Sequence, residues 1–166
     1  MVLRKLERKE IGWERYYDLK PADLGELVGA PKLGKLLHRA VHQFPRLTLE
    51  AGVQPLTRSL LKLELSLTPD FAFDAKVHDG AQSFWVLVED VDGERVLYSD
   101  VFTLRERDAA PAAPGAPPPT QTLTFTVPVM EPLPPQYFVR VLSDRWLHSE
   151  AVLPISFRHL VLVRIV

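Results

Sequence analysis

His38 and His42 stand four residues apart, a spacing that puts two imidazoles on one face of a helix and that zinc-binding helices use. The glutamate such a motif needs directly after its first histidine is Arg39 here, and no clear third ligand follows. The pair reads as two polar residues on a solvent- or partner-facing stripe, and no metal is assigned. Nucleotide and acyl chemistry also lack their signatures. The sequence has no Gly-x-x-x-x-Gly-Lys-Ser/Thr phosphate loop and no Gly-x-Ser-x-Gly nucleophile elbow. Cysteine is absent, which removes disulfides, thiolate zinc and thiol nucleophiles together and fits a reducing compartment. No catalytic residue and no cofactor are expected.

Two other constellations carry chemistry. Asp70, Asp74 and Asp79 lie between two apolar runs, and Asp90 and Asp92 lie in another turn. C2 sandwiches gather aspartates on loops at one end, because calcium takes several carboxylate oxygens. A stand-alone C2-like sandwich binding calcium or lipid is therefore one reading. Against it, Phe71, Phe73, Lys76 and His78 dilute the acids, and Asp92-Gly93 is ordinary hairpin chemistry. The second constellation is Lys32, Lys35 and Arg39, at i, i+3 and i+7 opposite a row of leucines. Such a stripe can touch a nucleic-acid backbone, adding affinity without sequence readout, or it can be a solvated helix face. The preceding Val28-Gly29-Ala30-Pro31-Lys32 is similar to helix-hairpin-helix loops, whose backbone N–H groups meet phosphate at a helix start. No aromatic residue interleaves the stripe, so base stacking is not indicated. Trp146, Arg145 and Tyr137 are assigned to partner docking, although for Trp146 a plug at the end of the sandwich core is the default reading.

The elements that must position these residues fall into two groups. Pro21 suits the first turn of a helix, Leu24, Leu27 and Val28 give it an apolar stripe, and Gly29 ends it. Pro31 starts a second helix whose buried face is expected to hold Leu33, Leu36, Leu37, Ala40, Val41 and Phe44, until Pro45 stops it. After Pro45 the period changes to two. Leu47, Leu49 and Ala51 alternate, then Leu61, Leu63, Leu65 and Leu67. Further strands are expected at residues 84–88, 96–104, 122–129, 137–142 and 152–163. The stretch 109–119, rich in Ala and Pro, reads as a surface loop. Glu131 to Phe138 reads as a rigid connector into the next strand. The fold class is mainly β with a small α part: a helical hairpin over residues 1–46, then a seven-stranded Ig-like (C2/E-set-like) sandwich over 47–166.

Charge divides along the same line. Residues 1–46 carry ten Lys and Arg against six Asp and Glu, and residues 47–166 carry ten against fifteen. The whole chain is at net charge −1, so no global argument for nucleic acid exists. No apolar run is long enough for a membrane-spanning helix, and the charged first ten residues do not fit a signal peptide.

Several blocks are familiar in this order: Trp13-Glu14-Arg15-Tyr16-Tyr17-Asp18-Leu19, Gly25-Glu26-Leu27, Pro31-Lys32-Leu33-Gly34-Lys35, Val41-His42-Gln43-Phe44-Pro45, Gln54-Pro55-Leu56-Thr57-Arg58, Thr68-Pro69-Asp70-Phe71, Lys76-Val77-His78, Phe84 to Asp92, Glu131 to Phe138, Ser143 to Leu147, and Ser156 to Leu160. Together they resemble the Sec-sixty-three homology module of the large spliceosomal RNA helicases of the bad-response-to-refrigeration type, which unwind the U4/U6 duplex in pre-mRNA splicing. The resemblance is nearest the first, ATP-hydrolysing cassette; the helicase of the activating signal cointegrator complex is a close relative that remains open. It implies a helix-loop-helix domain that contacts single-stranded RNA weakly, followed by an Ig/fibronectin-III-like domain that braces the helicase. The implied partners are RecA and ratchet domains, spliceosomal proteins and RNA, with no membrane, in the nucleus. It also implies a piece of a longer chain whose ATP-binding residues map to no position here. The Pro/Ala loop at 109–119 and the ending Arg164-Ile165-Val166 depart from the family pattern.

Overall fold

Proline and glycine punctuation shapes the N-terminal part as expected. In the computed structural model, which describes residues 2–9 and 11–158, four short helices form there: α1 (Val2–Glu7), α2 (Arg15–Asp18), α3 (Pro21–Leu27) and α4 (Gly34–His42). A 3-10 turn over Pro31–Leu33 leads into α4. The start of α3 is closed by Asp23, whose carboxylate accepts the Lys20 backbone N–H at 3.1 Å. Beyond the end of α3 Gly29 adopts φ +62°, a region that costs glycine nothing. Tyr16, Leu24 and Val41 make a small core, with Leu6, Ile11, Leu19, Leu27 and Leu37 packed around it. Helices α1 and α2 were not expected; Leu6 of α1 and Tyr16 and Tyr17 of α2 reach the core.

The helical hairpin closes through glycine. A Cβ on Gly34 would lie 1.9 Å from the Pro21 carbonyl oxygen, and one on Gly25 would lie 2.9 Å from the Pro31 Cα. Backbone meets backbone at both points, so α3 and α4 approach more closely than side chains allow. That approach corrects the expected buried face of α4. Gly34 and Val41 are buried and Leu37 packs on the core, but Leu36 is 61% exposed and Ala40 is exposed. Helix α3 is seven residues long and covers one narrow stripe; Leu36 projects roughly 100° around the helix from Leu37 and misses it.

The chain divides into two compact units, Met1–Phe44 and Pro45–Val166. The division falls two residues before the expected boundary because Pro45 and Arg46 bond into the second unit. The Ser149 hydroxyl donates to the Pro45 carbonyl at 2.7 Å, and the Asp70 N–H donates to the Arg46 carbonyl at 2.8 Å.

Among the described residues seven strands build the second unit: β1 (Leu47–Pro55), β2 (Leu60–Pro69), β3 (Ala81–Glu89), β4 (Val96–Arg105), β5 (Gln121–Pro128), β6 (Gln136–Ser143) and β7 (Glu150–Ser156). They form an antiparallel three-stranded sheet, β1-β2-β5, and an antiparallel four-stranded sheet, β4-β3-β6-β7. This is a mainly β protein with a small α part. Leu61, Leu63, Leu65 and Leu67 of β2 face Phe84, Val86 and Val88 of β3 and Val139 and Val141 of β6 across one core. Burying each such side chain contributes about 2 kcal/mol. The hairpin between β3 and β4 turns at Gly93, φ +70°, and Asp90 secures it by accepting the N–H groups of Glu94 and Arg95. Two one-turn helices sit in connections, α5 (Ala75–His78) and α6 (Glu106–Ala109). The Ala/Pro stretch after α6 carries no strand. The last strand, expected to reach Val163, ends at Ser156; residues 159–166 lie outside the described residues.

Candidate nucleic-acid interface

Helix α4 is held from behind by aromatic packing. Trp13 meets Phe44 edge-on at 4.8 Å and Tyr16 at 5.8 Å, and Tyr17 meets His42 edge-on at 5.9 Å. The Tyr17–His42 contact, with Leu37 and Val41 on the core, marks which side of α4 looks outward. The outward side presents Lys32, Lys35, Leu36, Arg39 and Ala40, all exposed. The twelve residues from Pro31 to His42 contain no acid. Among the described residues, Lys32, Lys35 and Arg39 enter no ion pair. Three arginines of the second unit behave differently. Arg46 pairs with Asp70, Arg145 with Asp79 at 3.0 Å, and Arg140 with both Glu89 and Glu150 at 3.2 Å. The α4 cations thus form a row about 10 Å long at helical rise, with no internal counter-charge.

The loop before α4 does less than its sequence suggests. The Gly29 and Ala30 N–H groups donate to the carbonyls of Glu26 and Gly25, both at 2.9 Å, and Pro31 has no N–H. Both donors ahead of Pro31 are spent inside the hairpin. Gly29 to Lys35 also matches a phosphate loop up to its lysine, but Leu36 stands where the metal-binding hydroxyl belongs, and a helix precedes the loop where a strand is needed. His38 and His42 stack at 4.1 Å, and the His42 ring nitrogen Nδ1 is 2.9 Å from the His38 carbonyl oxygen.

Four of the five aspartates of the calcium reading are individually committed; Asp92 is exposed. Asp70 pairs with Arg46, Asp74 caps α5 through the Lys76 N–H, Asp79 pairs with Arg145, and Asp90 holds its hairpin. Among the described residues no group of three carboxylates or imidazoles is placed to share an ion.

The three docking residues separate. Arg145 is exposed and held by Asp79. Trp146 is half-buried, its ring 5.7 Å from His78, which is fully buried and also meets Phe71 and Phe73. Tyr137 is corrected outright: it is 1% exposed. Its hydroxyl donates to the Pro128 carbonyl at 3.0 Å and accepts the Met130 N–H at 2.8 Å. A tyrosine at the start of a strand, bonding back to the chain that crossed from the other sheet, is the tyrosine corner of Ig-like sandwiches. The signal was present in the sequence, as a tyrosine directly after a proline-rich crossing.

Sequence reasoning also missed the outer face of the four-stranded sheet. Cross-strand neighbours there are Val101, Trp85, Leu142 and Glu150 in one row, Ser99, Leu87, Arg140 and Val152 in the next, and Glu89, Phe138 and Pro154 beyond. Trp85 is 46% exposed. The outer face of the three-stranded sheet is instead Thr48, Glu50 and Gln54, then Lys62, Glu64 and Ser66, then Thr122, Thr124 and Thr126. One face is built for water; the other carries an apolar strip beside the tied charges Glu89, Arg140 and Glu150, with Ser83, Ser99 and Thr103 along its β4 side.

Residues 4–156 match the family model described as the Sec63 Brl domain. The chain belongs to the Sec63 Brl domain family. Curated relatives of this Sec63 Brl domain include DExH-box ATP-dependent RNA helicase DExH12 of Arabidopsis thaliana, 53% identical over 161 residues. The U5 small nuclear ribonucleoprotein 200 kDa helicase of Homo sapiens is 51% identical, and the pre-mRNA-splicing factor brr2 of Schizosaccharomyces pombe 46%. Each match covers 97% of this chain and 7% of the relative, so the Sec63 Brl domain described here spans about 7% of the length of those proteins.

Proposed function

We propose that this chain is a non-catalytic accessory module of a nuclear, ATP-dependent RNA helicase of pre-mRNA splicing. It contacts single-stranded RNA weakly through Lys32, Lys35 and Arg39, and it docks through its sandwich on the RecA and ratchet domains of the helicase and on spliceosomal proteins. The family match over residues 4–156, with relatives named as RNA helicases and splicing factors, carries the reading. The unpaired cationic face of α4 supports the RNA part. The apolar outer face around Trp85, together with the Arg145–Trp146 end of the sandwich, supports the docking part.

Three phosphate contacts on a single strand predict a log–log salt slope of about −2, so affinity falls roughly twentyfold between about 50 and 200 mM salt. Fluorescence anisotropy with a labelled oligouridylate measures this directly. Reversing all three charges (Lys32→Glu, Lys35→Glu, Arg39→Glu) is expected to abolish binding at low salt. Unchanged affinity in that variant removes the site assignment.

A further inference from the structure

Leu36 is the one large apolar residue on the outward side of α4, and it is 61% exposed. Lys32 and Arg39, four and three residues away, are its neighbours on the helix surface, and Lys35 lies beside them on the same flank. That setting discriminates between partners. An apolar protein surface laid over Leu36 would take three unpaired cations out of water with no counter-charge, which is costly. A single strand of nucleic acid brings both things the face lacks: phosphates for the cations and an apolar base face for the leucine. A duplex brings the phosphates alone, because its base faces are stacked against one another.

Resting on the RNA reading above, we propose that Leu36 packs against the face of an unpaired nucleobase while Lys32, Lys35 and Arg39 hold the neighbouring phosphates, and that Leu36 makes this interface prefer single strands over duplex. The leucine does the work that aromatic platforms do in other single-strand binders, with less area and so less affinity per base. Because it reads only an apolar face, the interface has no base preference of its own.

The test uses the whole chain, a labelled oligouridylate, a blunt RNA duplex of matched charge, and heparin as a polyanion without bases. Leu36→Gln keeps a good helix former at an exposed position, so helix content is expected to stay constant by circular dichroism. The expected result is about a fivefold loss of oligouridylate affinity at every salt concentration, from lost apolar contact. The salt slope and the duplex and heparin affinities stay as they were. Leu36→Phe is expected to raise oligouridylate affinity severalfold by adding a stacking ring. Unchanged single-strand affinity in Leu36→Gln overturns the proposal, as does an equal loss for all three ligands. If the triple charge reversal is also silent, the RNA reading itself falls; if only the Leu36 variants are silent, that reading survives and this inference does not.

Discussion

Replacing Tyr137 with phenylalanine removes one oxygen atom and leaves the ring in place. The ring meets Phe157 edge-on at 4.8 Å and fills the end of the core, so its packing survives the change. What goes is the hydroxyl that accepts the Met130 N–H at 2.8 Å and donates to the Pro128 carbonyl at 3.0 Å. Both backbone groups sit where the chain crosses from β5 towards β6, and each is left short of a partner. An unsatisfied part-buried group costs about 1–3 kcal/mol, and Met130 is half-buried, so water recovers a share; about 2 kcal/mol in total is expected. For a unit of about 120 residues that lowers the melting temperature by roughly 8 °C. Tyr137→Ala adds a cavity and is expected to cost about 3–5 kcal/mol. Urea unfolding followed by tryptophan fluorescence gives both numbers, since Trp85 and Trp146 lie in the sandwich. A Tyr137→Phe protein within about 0.5 kcal/mol of the parent, with weakened binding to a partner, would refute the corner argument and restore a docking role.

Gly34→Ala is expected to unfold the helical unit selectively. Its Cβ would sit 1.9 Å from the Pro21 carbonyl oxygen, and hydrogen exchange should show residues 1–44 losing protection while the sandwich keeps its own. Alkaline pH should weaken the sandwich. Burial, then the hydrogen bond to Asp100, pushes Tyr98 up from 10.0 to about 12, and burial raises Tyr137. The folded state thus favours the neutral rings, and the Tyr98 contribution is complete below the unfolded value near 10 and lost as pH rises towards about 12. The urea midpoint should fall over that window, and less steeply in Tyr98→Phe. Millimolar calcium is expected to leave the melting temperature unmoved, because Asp70, Asp74, Asp79 and Asp90 are each committed to a cation or a backbone N–H; a rise of several degrees would revive the C2-like reading.

The sandwich was legible because strand alternation is local. Leu61, Leu63, Leu65 and Leu67 announce one buried face whatever they pack against, and all four are buried. Pro21, Gly29 and Pro31 mark the hairpin because proline and glycine act through their own φ angles. The cationic row was legible as well, since helical spacing alone groups Lys32, Lys35 and Arg39.

What the sequence could not decide were outcomes of contact. Leu36 shares the helical period of buried residues, and only the narrow reach of α3, brought close by Gly25 and Gly34, leaves it outside. Tyr137 looked like a surface handle until the chain nine residues back supplied the carbonyl that holds its hydroxyl. Trp85 sits in an apolar run that reads as core on both sides, and only the presence of the β1-β2-β5 sheet on one side and nothing described on the other sorts its face outward. By itself, the sequence determined the periods, the breaks and the placement of charge, because these depend on each residue and its near neighbours. Tertiary structure decided which apolar side chains are spent inside and which remain for a partner, because that depends on how much surface the opposing element can cover.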